Sequence, residues 1–158
     1  MKRLTAIILI CLLLSGCGNG LKEPVTFYYL NANYEETMSS VIGSEQREAS
    51  GHAEDLAYLM ALYLMGPASE DLQSPLPQGV HMFSIEHRNS AITLRLSSPS
   101  TPMTDAQYTL AFSCLSMTCL EITGAESITI SCGDRTMTLS ASDLLLQDLI
   151  TAGTEESQ

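Results

Sequence analysis

Leu56-Ala57-Tyr58-Leu59-Met60-Ala61-Leu62-Tyr63-Leu64-Met65-Gly66-Pro67 decides how this chain folds. Up to Met65 the side chains are apolar almost all round, and a helix without a polar face has to be buried on every side. At about 1.5 Å per residue it covers about 15 Å, half of a bilayer's hydrocarbon core of about 30 Å, so it belongs in a protein core and not across a membrane. Gly66 supplies a left-handed C-terminal cap and Pro67 forbids continuation. At the other end Gly51 is expected to act as N-cap, with Glu54 and Asp55 in the first turn, where carboxylates favour the positive end of the helix dipole.

Such a helix needs other elements to bury it. Upstream, Val25-Thr26-Phe27-Tyr28-Tyr29-Leu30 is rich in β-branched and aromatic residues with apolar side chains on both faces, which predicts a central strand. Asn31 to Ser50 is polar and carries Glu35, Glu36, Glu45 and Glu48. Only Val41-Ile42 looks extended there, so the segment reads as a long excursion with a short edge strand.

Downstream, the breaker cluster Ser74-Pro75-Leu76-Pro77-Gln78-Gly79 closes a loop. Val80 to His87 and Ala91 to Ser97 form a hairpin around Arg88-Asn89-Ser90. In its second strand Ile92, Leu94 and Leu96 alternate with Thr93 and Arg95, the pattern of one buried face. Thr104-Asp105-Ala106-Gln107 fits a capping box, with Met103 and Tyr108 as hydrophobic staple. The second helix therefore starts at Asp105 and runs through Leu110, Ala111, Cys114 and Leu115 to about Met117. Ser127 to Cys132 alternates as a strand, Gly133-Asp134-Arg135 turns, and Met137 and Leu139 alternate again. Ser142 is placed to cap a last short helix over Leu144, Leu145, Leu146, Leu149 and Ile150, before an acidic tail from Thr151.

The order predicts a small α+β domain: a mixed β-sheet with two main helices packed on one face in β-α-β-β-α-β order, plus a short C-terminal helix. Strands flanking a helix pair in parallel by a right-handed crossover, and hairpin mates pair antiparallel.

The first residues carry a different message. Met1, Lys2 and Arg3 form a positive start, Ala6 to Leu14 is an unbroken apolar run, and small residues Ser15 and Gly16 precede Cys17, which is the pattern of an export signal. Leu14-Ser15-Gly16-Cys17 resembles the lipobox of bacterial lipoproteins, in which the cysteine thiol takes a diacylglycerol before cleavage. Residues 1–16 are then the signal peptide, 17–24 a lipidated tether, 25–140 the folded domain, and 141–158 the short helix and acidic tail. Each buried methylene of the lipid contributes about 0.8 kcal/mol to anchoring, and two chains hold where one is marginal.

Composition excludes several partners. Lys and Arg number 7 against 18 Asp and Glu, for a net charge of −11. Nucleic acid is thus not expected, and anionic headgroups repel the body, so contact with the membrane runs through the lipid anchor. With Cys11 in the signal and Cys17 lipidated, Cys114, Cys119 and Cys132 remain. They are either small buried hydrophobes or one disulfide plus a free thiol. No Cys/His spacing suggests zinc.

Catalytic and cofactor signatures are also missing, so no catalytic residue, metal or cofactor is expected. There is no Gly-x-Ser-x-Gly elbow, no Asp-x-Asp-x-Asp-Gly calcium loop and no Gly-x-x-x-x-Gly-Lys phosphate loop. His52 opens a helix, and His81 and His87 fall on one side of one strand, where they read as surface or partly buried residues without a shared function. The tandem carboxylates Glu35-Glu36, Glu54-Asp55 and Glu70-Asp71 do not face each other on any regular element. Arg47 stands out in so acidic a chain: it either pairs with a buried carboxylate and ties the excursion to the core, or meets a partner.

The residues then resemble a known family, the GerMN domain of sporulation and spore-germination lipoproteins, over most of residues 25–140. The resemblance rests on the strand Val25 to Leu30, Glu45-Gln46-Arg47, Leu64-Met65-Gly66-Pro67, Leu72 with Leu76-Pro77 and Gly79, and the strand end Leu94-Arg95-Leu96-Ser97. Arg95 stands where members often carry an acidic residue, and the chain holds a single copy where a tandem pair also occurs in the family. The resemblance implies a ring-building-motif-like fold and a non-enzymatic interaction module at the outer face of the cytoplasmic membrane. Its partners would be an envelope protein complex or a second copy, in sporulation or germination. A lipoprotein binding cell-wall glycan or a small solute is the alternative.

Overall fold

The computed structural model describes residues 24–33, 40–49 and 51–144. The signal peptide, the lipobox with Cys17 and the body of the final helix lie outside the described residues.

Strand β1 (Pro24–Asn31) is central, as its two-sided apolar pattern predicts. It lies between β2 (Ile42–Glu48) and β3 (Leu72–Gln73), both antiparallel to it. β2 is longer than the short edge strand expected from the polar excursion: it pairs along nearly all of β1, from Pro24 opposite Glu48 to Leu30 opposite Ile42. Its inward positions are Gly43, Glu45 and Arg47, so its alternation is hidden behind polar side chains. Gly43 is needed there, because a Cβ would run into the side chains of Asn31 and Leu72 where β1 meets β3. β3, inside what reads as a loop, is an added element.

Helix α1 (Leu56–Leu64) follows. Its N-cap is Asp55, whose carboxylate accepts the Tyr58 N–H at 3.0 Å, and not Gly51, which holds a φ of +83° in the preceding turn. The carboxylate competes better for the first free N–H groups than a glycine can. Gly66 ends the helix with φ +92°, as expected.

The remaining strands form a second sheet in the order β4 (Met82–Arg88), β5 (Ala91–Leu96), β6 (Ser127–Cys132), β7 (Arg135–Ser140). β5 and β6 are parallel across helix α2 (Asp105–Thr123), and both hairpins are antiparallel. The α+β class stands, with the strands divided between two sheets instead of one. α2 begins with the capping box, Gln107 N–H to Thr104 Oγ1 at 3.2 Å and Thr104 N–H to Gln107 Oε1 at 2.8 Å. It runs past Met117 to Thr123 and a left-handed Gly124. Thr118 and Thr123, poor helix formers, return their hydroxyls to the carbonyls of Cys114 and Cys119 and stay in register. Residues 141–144 are helical, and Ser140, not Ser142, caps them in a reciprocal pair with Asp143.

One core serves both sheets. Phe27, Tyr29, Leu59, Met60, Tyr63, Leu94, Phe112, Leu115, Ile128 and Ile130 are all buried within it, with α2 packed against β1, β6 and β7. Cys114, Cys119 and Cys132 are buried free thiols, which settles their pairing in favour of small hydrophobes. Tyr29 and Tyr63 stack at 4.6 Å between ring centroids and 6° between planes. The Tyr29 hydroxyl donates to the Tyr63 carbonyl at 3.0 Å, and the Tyr63 hydroxyl to the Tyr28 carbonyl at 2.9 Å. The Tyr28 N–H donates to Thr118 Oγ1 at 3.0 Å. The stretch of β1 that β3 is too short to cover is thus closed by side chains of both helices.

Candidate functional site

Glu45, Arg47, Gly66 and Pro67, far apart in the chain, meet where β2 passes the end of α1. Arg47 Nε donates to Glu45 Oε1 at 2.7 Å, Nη1 to the Leu62 carbonyl at 3.3 Å, and Nη2 to the Gly66 carbonyl. Both carbonyls lie at the negative end of the helix dipole; that of Leu62 also accepts the Met65 N–H at 3.3 Å. Glu45 accepts the Ala68 N–H at 3.0 Å and the Ser69 N–H at 2.9 Å. The guanidinium lies 5.5 Å from the Phe27 ring centroid and 5.9 Å from that of Tyr29. With side chains only 15% and 11% exposed, the two charges are largely out of water and are met by these donors, acceptors and aromatic faces. Burial alone would push the Glu45 carboxyl up, but the two N–H groups and Arg47 outweigh it and hold it below the usual carboxylate range.

This clamp fixes the chain that leaves α1. Pro67, Leu76, Pro77 and Gly79 come together with Gly66 along a groove of about 320 Å³. Met65, on its wall, is 83% exposed. No charged residue lines the groove. On the other side of the same loop a cleft of about 460 Å³ is lined by Leu30, Met103 and Gln107 among others. The Gln107 side chain is already taken by the capping box, and the Ser74 hydroxyl by Leu76.

The other polar candidates do not converge. His81 precedes β4, and a bulge between Met82 and Ser84 reverses the alternation, so His81 and His87 lie on opposite sides of the strand instead of the same one. His52 stacks on Tyr58 at 4.4 Å. Among the described residues no group of His, Cys, Asp and Glu is placed to hold a metal, and no helix is long and apolar enough to cross a membrane. The Tyr28-Tyr29-Tyr63-Thr118 closure was not legible beforehand, and its sole trace in the sequence is the tyrosine pair in a strand next to a tyrosine-bearing helix.

No protein-family model matches the chain, and no curated protein matches it either. Among solved structures, the tandem GerMN domains of the sporulation protein GerM from Bacillus subtilis superpose with a TM-score of 0.51 at 16% identity, over 76% of this chain and 43% of that one. The fold is that of a GerMN domain. A protein from Clostridium perfringens described as a lipoprotein is also similar, with a TM-score of 0.48 and 17% identity over 80% of this chain and 93% of that one. The chain spans under half the length of the tandem GerMN structure.

Proposed function

We propose that the protein is a lipoprotein at the outer face of the cytoplasmic membrane, anchored through Cys17, whose GerMN-like domain binds protein partners without catalysis. The partner is an envelope protein complex or a second copy of the chain, and the process is spore formation or germination. The observation that carries this reading is the joining of an in-register lipobox, Leu14-Ser15-Gly16-Cys17, to a GerMN fold. The uncharged groove beside Met65, its wall fixed in advance by Arg47 and Glu45, supports a contact surface, since a rigid concavity lowers the cost of ordering on binding. The glycan or solute alternative would use the polar atoms that Gln73, Ser74 and Gln78 bring to the same groove.

Two experiments test the reading. Cells fed a labelled fatty acid should incorporate it into the native chain and not into Cys17→Ala, which should leave the membrane fraction. Equal labelling of the two would remove the anchor. Deletion in a spore-former should lower the yield or germination of spores. Wild-type spores would remove the process and leave the fold untouched.

A further inference from the structure

We propose that the groove between the end of α1 and the 66–80 loop receives a short partner segment in which apolar residues are flanked by lysine or arginine. The proposal rests on the protein-binding reading above and names the chemistry of the partner.

Met65 asks for an apolar contact. It presents 83% of its surface to solvent beside Pro67, Leu72, Pro77 and Val80; Gln73, Ser74 and Gln78 are the polar members of the lining, and no charge lines the groove. A flexible, polarisable thioether on a stiff proline-bearing wall adapts to apolar side chains of varied shape. The wall is held in advance: Arg47 fixes Gly66, and Glu45 fixes Ala68 and Ser69.

The neighbouring carboxylates select the flanks. Glu70 and Asp71 sit in the chain between Pro67 and Leu72, which both line the groove. Both are exposed, and among the described residues neither carboxylate has an ion-pair partner. Arg47, which reaches the wall of the groove at Gly66, is spent on Glu45. With a net charge of −11 the whole molecule draws cationic segments and repels an anionic lipid surface. The cleft on the far side of the loop lacks an exposed large hydrophobic residue, so the groove is the favoured seat.

The test uses the full lipidated chain in discs of zwitterionic lipid, with methionine methyl groups labelled for NMR and the Met65 signal assigned from Met65→Leu. A synthetic peptide with a leucine core between lysines should shift the Met65 methyl saturably. The same core between glutamates, and a serine core between lysines, should not. Charge reversal by Glu70→Lys with Asp71→Lys, at exposed sites that leave the fold intact, should weaken binding about tenfold, equivalent to about 1.4 kcal/mol. Equal response to the glutamate peptide or to the serine core, indifference to the charge reversal, or a response confined to Met103 in the other cleft would each overturn the proposal. If a partner is captured by the anchored protein while Met65 stays unmoved, the function stands and the groove falls. If lipidation fails while the peptide binds Met65, the reverse holds.

Discussion

Arg47 is the residue on which the most geometry converges. Arg47→Ala leaves Glu45 largely buried without its cation and strips the Leu62 and Gly66 carbonyls of a donor, so a loss of about 2–4 kcal/mol is expected in urea unfolding. Met65 should become more mobile in the same variant, since the wall behind it is released. Two sets of groups set the response to pH. Glu45, held below its ordinary 4.5, contributes stability that is present above that pH and is lost as pH falls through its lowered value. Cys114 and Cys119 are pushed by burial from 9.0 up to about 12, and burial raises Tyr29 and Tyr63 as well. Their contribution is complete below pH 9.0 and is lost as pH climbs towards 12, because the unfolded thiols ionise first. Urea midpoints measured across this range should therefore fall on both sides, and Cys119→Ala should flatten the alkaline side.

Among the elements, β1, the two hairpins and the start of α2 were legible because each is specified locally: two-sided apolar residues, period-two alternation, and a capping box. β2 was not, because its inward positions are a glycine and an ion pair, which look like solvent-facing polarity until the end of α1 is placed beside them. The cap of α1 was misplaced for a related reason. Asp55 and Gly51 both suit an N-cap, and only the backbone path between them decides. The far half of α2 was hidden by Thr118 and Thr123, whose helix-averse hydroxyls are used for bonding. Thr118→Val tests this element directly. It keeps the shape but leaves the buried-side Tyr28 N–H without an acceptor, so a loss of about 1–3 kcal/mol is expected, with faster hydrogen exchange at Tyr28 itself.

At the scale of the molecule, two sheets share one core through α2, and neither sheet is expected to melt separately. Transitions followed by far-ultraviolet dichroism and by tyrosine fluorescence should coincide; two separated transitions would show the sheets to be independent units. The division into two sheets was not legible, since the strand order is the same for one sheet or two and only β3, two residues inside a proline-rich loop, terminates the first. The buried thiols give the whole molecule one more property. Folded, it shows a cysteine reagent none of Cys114, Cys119 or Cys132, and their suppressed ionisation slows any reaction further. A single cysteine introduced at the surface of the domain would thus be chemically addressable against a silent background, and the same reagent added during unfolding would count, by the thiols it captures, how much of the core has opened.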